Sequence, residues 1–448
     1  MDVGHLELES KIQNPSPKSK VQSPTSNVKS PTSKNMLFNG NNYEIQGINP
    51  LDLCKKYDTP LYVYDAAIIE RQYKKLAAAY QAAPRLRINY AMKALSNLSV
   101  LSFLRRLGAC VDTVSIEEVK LALKAGFSAH QIGYTPSGVR WSEIEEAVAL
   151  GVHIHLDSIP LMKKFGEQYG NTIGVGLRIN PHVKAGGNFK ISTAHDRSKF
   201  GISIHQLEEV IKTMQQTGIK IDGLHQHTGS EIKDASTFLE VAEIIFDAAK
   251  NFPDLESIDL GGGFKVPYKP DDKEADIIHI GAEITKRFND FCAAYGRDLT
   301  LILEPGKFLV AQCGYLLAQV NIVKHSPSLS FAGIDTGLNH LIRPMMYDAY
   351  HEIINISKNP NSEKNMYNVV GYICETDTFA ENRLLNTVKE GDILAICNAG
   401  AYSYSMSSNY NARFRPAEVL VYNGVDYLIK ERENFEDLVR GQKILEFL

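Results

Sequence analysis

Between residues 87 and 306, short apolar runs recur at intervals of roughly 20 to 45 residues, each ending in polar or glycine positions. They occupy 87–93, 109–115, 131–136, 153–158, 174–181, 221–230, 257–263 and 301–306. Helix-like segments fill the intervals, among them 115–125, 142–150 and 235–249, the first opening on a Ser-x-x-Glu capping box, Ser115 to Glu118. Alternation of strand and helix implies a parallel sheet. Eight units exceed the five or six of an open doubly wound sheet, so the pattern predicts a (β/α)8 TIM-type barrel. That fold places chemistry at the C-terminal ends of the strands.

The rhythm differs on either side. Residues 1–35 repeat Ser-Pro steps at Ser16-Pro17, Ser23-Pro24 and Ser30-Pro31 among Lys, Asn and Gln, too little apolar surface to order a chain, and read as a disordered tail. There is no apolar h-region for a secretory signal, and Asp2, Glu7 and Glu9 are acidic where transit peptides avoid acid. Beyond Phe308 the runs 316–323, 329–335, 367–374, 392–397 and 418–422 are strand-like, separated by turns such as Glu390-Gly391-Asp392 and Asn423-Gly424. They predict a C-terminal all-β domain. The expected division is a tail at 1–35, a barrel at 61–308, and a β-sandwich or β-barrel domain formed by 36–60 and 309–448, whose sheet the strand-like 37–45 could join although the sequence does not show that pairing.

A chain of 448 residues, 44% hydrophobic, is globular and too long for one ordinary core. No apolar run approaches ~18 residues, so no membrane span is expected. Lys and Arg number 48 against 52 Asp and Glu, a net −4 that gives nucleic acid or anionic membrane no electrostatic purchase. Six scattered cysteines without a Cys-x-x-Cys pair argue against a zinc ribbon or disulfide framework. They point to a reducing, cytoplasmic setting.

Chemistry gathers where the barrel reading requires it. The first run delivers Lys93, whose partly desolvated amine is expected to have a lowered pKa and to act as a nucleophile towards a carbonyl. The second ends in Asp112 and Ser115, the fifth in Arg178 and Asn180. Later ends carry His225-Gln226-His227-Thr228-Gly229-Ser230, Gly261-Gly262-Gly263-Phe264 and Glu304-Pro305-Gly306-Lys307. A triple glycine at a late barrel strand suits a phosphate, with Ser230 as a further donor. His225 and His227 resemble metal ligands in spacing, but no third His or Cys and no suitably spaced carboxylate joins them, so no metal is expected. Lysine, phosphate cradle, flat histidine and a carboxylate at Glu304 to keep a ring nitrogen protonated together describe a pyridoxal phosphate (PLP) site.

Tyr90-Ala91-Met92-Lys93-Ala94, His227-Thr228-Gly229-Ser230, Gly261-Gly262-Gly263-Phe264 and Glu304-Pro305-Gly306 resemble the fold-type III PLP-dependent decarboxylases, of the alanine-racemase-like barrel superfamily. The stretch from Leu341 through Arg343, Tyr347 and His351, the Cys374-Glu375-Thr376-Asp377 segment, and Lys190-Ile191-Ser192-Thr193 followed by Ser198-Lys199-Phe200-Gly201 resemble its diaminopimelate decarboxylase branch. The likeness runs from about Leu37 to the C-terminus.

That resemblance implies a role for each matching position. Lys93 carries PLP, His227 stacks on its ring and Glu304 pairs with the ring nitrogen. Gly261, Gly262, Gly263, Ser230 and the Glu304-Pro305-Gly306-Lys307 turn hold the phosphate. Lys307, Arg343, Tyr347 and Glu375 bind substrate, Tyr410 touches cofactor and substrate, and Cys374 is the acid, brought by the partner in a homodimer. Many members have arginine where Lys307 stands; lysine keeps the charge but loses the bidentate fork. The implied reaction is decarboxylation of meso-2,6-diaminopimelate to L-lysine. The alternatives are a decarboxylase of ornithine, lysine, arginine or carboxynorspermidine, or a non-catalytic PLP-binding regulator. Retention of both Lys93 and Cys374 counts against the last.

Overall fold

A computed structural model describes residues 36–183, 198–232 and 234–447. The N-terminal tail and the Lys190–Thr193 motif lie outside them. The eight runs form eight parallel strands: β1 (Arg85–Ala91), β2 (Cys110–Thr113), β3 (Ile132–Tyr134), β4 (His153–Leu156), β5 (Gly174–Asn180), β6 (Lys220–His225), β7 (Ser257–Asp259) and β8 (Thr300–Leu303). Each pairs with its neighbour, and β8 pairs with β1 in the register Thr300↔Arg85 to Leu303↔Ile88, closing the barrel. The helices follow as expected. Ser115 caps Ile116–Lys124, its hydroxyl accepting from the Glu118 N–H at 3.2 Å, while the Glu118 carboxylate reaches one residue further back, to the Val114 N–H at 2.9 Å.

The remaining strands form a second sheet. Gly314–His325 is its spine, flanked by Ser330–Ile334, Lys364–Val370 and Thr378–Asn386 on one side and by Leu61–Asp65, Ala417–Tyr422 and Val425–Lys430 on the other. Ile393–Ile396 pairs with the same spine and with Ile353–Asn355. Asn423 and Gly424, both at positive φ, close the last hairpin, as a two-residue turn of that sequence favours.

Three expectations shift. Leu61–Asp65, assigned to the barrel by position, pairs with Gly314–His325 and Ala417–Tyr422 instead. Leu61, Tyr62, Val63 and Tyr64 are all fully buried there, each worth ~1.5–3 kcal/mol of apolar burial. The 37–45 segment makes its own two-residue hairpin, and Met36, Tyr43 and Ile45 pack beneath the second sheet without adding a strand to it. The run expected to reach Cys374 leaves the sheet at Val370, because Gly371 N–H turns to the Asp377 carbonyl (2.7 Å) and the Asp377 carboxylate takes the Ile373 and Leu338 N–H groups. Among the described residues, no helix is long and apolar enough to cross a membrane.

Candidate active site

The strand exits are tied to one another by backbone. Ala91 N–H donates to the Pro305 carbonyl at 3.2 Å, Glu304 N–H to Gly261 at 2.8 Å, and Ile232 N–H to Gly263 at 3.0 Å. Such close backbones need glycine. A Cβ on Gly262 would run into the Glu304 carbonyl, and one on Gly263, whose φ is +101°, into that of Gly229. The second sheet contributes a loop to the same place: Tyr402 N–H (2.8 Å) and the Ser405 hydroxyl (3.2 Å) both donate to the Ala94 carbonyl, beside Lys93.

These exits enclose a cavity of about 650 Å³. Of the expected site residues, Lys93, His227, Ser230, Gly263, Glu304, Pro305, Gly306, Lys307, Arg343 and Tyr347 line it, together with Tyr402, Tyr268, Arg178 and Glu231. Gly261 and Gly262 stand directly behind the lining and permit its close packing.

Lys93 is enclosed by protein yet opens into the cavity, its side chain 41% accessible, with Nζ 3.9 Å from the Asp112 carboxylate. The expected fall in its pKa is not what the surroundings produce. Burial lowers it, but Asp112, Tyr402 and Glu304 together outweigh burial and Arg178, and hold the amine above its ordinary value.

Glu304 is buried, with one carboxylate oxygen 3.0 Å from His225 Nε2; the other meets no donor among the described residues. Burial, with Lys93 and Arg178 opposing it, raises its pKa, and burial with the nearby Glu304 raises Asp112 to about 7. Asp259 is raised by the same causes. His225, Asp259 and Glu304 bring ligand atoms within 4.8 Å of one another, so the fold sets beside His225 two carboxylates that spacing along the chain did not reveal. The two histidines part ways: β6 ends at His225, inside the barrel, whereas His227 lies beyond it on the cavity wall, accepting from Gly262 N–H at 3.3 Å. Burial holds both neutral.

At the far wall the Arg343 guanidinium lies 5.1 Å from the centre of the Tyr268 ring and 6.0 Å from that of Tyr347, and its Nε meets no acceptor among the described residues. Lys307 is buried and pairs with Glu231.

Cys374, Glu375 and Tyr410 do not line the cavity of their own chain. They form a surface group, with the Tyr410 hydroxyl donating to Glu375 at 2.5 Å and Asn411 Nδ2 lying 3.3 Å from Cys374 Sγ. Tyr410 is 46% exposed; the tyrosine beside Lys93 is Tyr402, eight residues earlier in the same loop. Its Ala-Tyr setting after Asn398-Ala399-Gly400 was the available signal. Arg178 was visible as a strand end, whereas Tyr268 and Glu231 carried no pattern.

The buried acid with a donorless oxygen, the amine facing it and the glycine-tight cradle fit pyridoxal phosphate. The barrel and its mouth thus have the make-up of a vitamin B6-dependent enzyme, and the family model "Pyridoxal-dependent decarboxylase, pyridoxal binding domain" matches residues 66–311. A diaminopimelate decarboxylase of Methanothermobacter thermautotrophicus is 39% identical over 408 residues, 89% of this chain and 95% of its own. The crystal structure of diaminopimelate decarboxylase from M. jannaschii superposes with a TM-score of 0.86 at 31% identity, covering 93% of this chain and 99% of that one. A second structure of it, in complex with L-lysine, gives 0.84 over the same shares. The chain belongs to the diaminopimelate decarboxylase family of pyridoxal-dependent decarboxylases.

Proposed function

We propose that this chain removes the carboxylate at one end of meso-2,6-diaminopimelate as CO2 and yields L-lysine, working in the cytoplasm as a homodimer with shared sites. The observation that carries this reading is one cavity holding the Lys93 amine and, on its wall, the cations Arg343 and Lys307. A substrate with two amino acid ends needs a place for each.

Pyridoxal phosphate, when bound, supplies the electron sink that accepts the electron pair left behind as CO2 departs. Lys93 would hold it through its amine, His227 face its ring, Glu304 pair with the ring nitrogen, and Ser230 with the backbone of Gly261–Gly263 and Glu304–Lys307 hold the phosphate. A neutral His227 suits stacking better than a charged one. Arg343, Tyr347 and Lys307 would hold the distal carboxylate. Arg343 is half-buried, and its buried Nε meets no acceptor among the described residues, which favours a substrate that brings an anion there: a substrate whose distal end lacks a carboxylate leaves that charge unsatisfied. Tyr268 and Tyr402 line the same cavity.

Proton return to the α-carbon is assigned to Cys374, with Glu375 and Tyr410 beside it to meet the distal ammonium. All three are displayed on the surface, away from their own cavity, which supports donation to a second copy. Six free cysteines support a reducing compartment.

The test is CO2 release from meso-diaminopimelate, lysine and ornithine by PLP-loaded protein. Diaminopimelate should be preferred by roughly a hundredfold or more in kcat/KM. A preference for lysine or ornithine would overturn the substrate, and a PLP-loaded protein releasing no CO2 from any of them would overturn the activity.

A further inference from the structure

Glu231 follows Ser230 directly, lines the cavity and adopts φ +70°, a left-handed conformation unfavourable for a glutamate. Its neighbours over-determine it. Ile232 bridges to Phe264, and Ile232 N–H, Lys265 N–H and their acceptors fasten the two loops at 3.0 Å, so Glu231 is turned inward from a fixed seam. There its carboxylate pairs with Lys307 Nζ through one oxygen and lies 3.7 Å from Lys265 Nζ through the other. Lys265 is held in turn by Asp272 at 3.4 Å.

We infer that Glu231 is a specificity-determining positioning residue: it keeps Lys307 charged, so that a lysine can serve as a fixed cation for the distal carboxylate of the substrate. The inference rests on the proposed reaction and deepens it.

The physical case lies in what Lys307 faces. Arg343 from the segment Arg343–Tyr347 and Lys265 are both cations, the Tyr268 ring is 5.9 Å away, and Asp272 is engaged by Lys265. Burial drives the Lys307 amine below its ordinary pKa; Glu231 opposes that, and Arg343 and Lys265 add to it. Remove the carboxylate, and burial, Arg343 and Lys265 are left unopposed, so the Lys307 amine is driven further below its ordinary pKa. An arginine at this position would stay charged without help. The lysine therefore needs a companion acid that arginine does not, and the strained conformation supplies it.

The test compares the holoenzyme with Glu231→Gln and with Glu231→Gln/Lys307→Arg. Trace labelling by acetic anhydride across pH, resolved by peptide mass spectrometry, reads the Lys307 amine without any turnover. It should show the pKa falling by about one unit or more in Glu231→Gln, and KM for meso-diaminopimelate at pH 8–9 rising ~10-fold with kcat little changed. Adding Lys307→Arg should return KM to within ~3-fold of wild type, which a merely structural defect would not allow. An unmoved Lys307 amine, or a double variant no better than the single, overturns the inference. If Glu231→Gln fails to fold, Glu231→Asp, with its carboxylate drawn back, should move the amine in the same direction, and no movement there overturns it too. The labelling result stands whatever the substrate proves to be.

Discussion

Glu304 and His225 meet inside the barrel, Oε2 to Nε2 at 3.0 Å, with His225 held neutral by burial. A neutral imidazole can donate to the carboxylate and fix its plane while leaving the other oxygen without a donor. Glu304→Gln keeps the shape but removes the charge. It should still load PLP, seen as visible absorbance, while kcat falls roughly 10²–10³-fold in steady-state assays. A near-normal kcat would take Glu304 out of its role.

Lys93→Ala should abolish the visible absorbance of bound cofactor, whereas Cys374→Ala should keep it and turn over far more slowly. If sites are shared, mixing the two impaired proteins gives hybrids with one intact site, and about a quarter of wild-type activity should return as subunits exchange. Activity that stays absent after proven exchange would place Cys374 and Lys93 on the same chain's site.

Gly262 packs where a Cβ would strike the Glu304 carbonyl. Gly262→Ala must push two strand exits apart, at a cost of ~1–3 kcal/mol. PLP affinity should drop by ~10-fold or more in an equilibrium titration, since the same seam aligns Glu304 with the cradle. Unchanged affinity would mean that the mouth tolerates the shift.

His351, buried against the Cys397 carbonyl at 2.8 Å, is depressed to about 3 by burial and by Arg343. Its folded pKa lies below the unfolded value, so its contribution is complete above pH ~6.5 and is lost as pH falls towards 3. Asp335 and Asp377, raised to about 6 chiefly by burial, act oppositely: they favour the fold at low pH and lose that effect as pH rises through about 6. The two trends mask each other in the intact protein. His351→Asn keeps a donor for Cys397 and removes the titration. The stability difference between wild type and variant should therefore change by up to ~1.4 kcal/mol per pH unit between pH 6 and 4, read by urea unfolding. A constant difference would show that His351 does not titrate in this way.

Much of this protein is local and hence legible in the chain. Each barrel run announces itself by apolar content and a polar exit, and because a TIM barrel gathers all eight exits at one end, Lys93, His227, Gly263 and Glu304 could be brought together from spacing alone. Tertiary structure decided what depends on distant partners. Leu61–Asp65 reads like any buried strand, and only the presence of Gly314–His325 and Ala417–Tyr422 on either side fixes its sheet. Tyr402 and Tyr410 are equivalent on paper; the hydrogen bond from Tyr402 to Ala94 draws one into the cavity, while Glu375 keeps the other outside. The direction of the Lys93 pKa and the pairing of Lys307 with Glu231 are sums over charges from several strands and loops. Coulomb energy depends on separation in space, and the folded chain sets that separation independently of distance along the sequence.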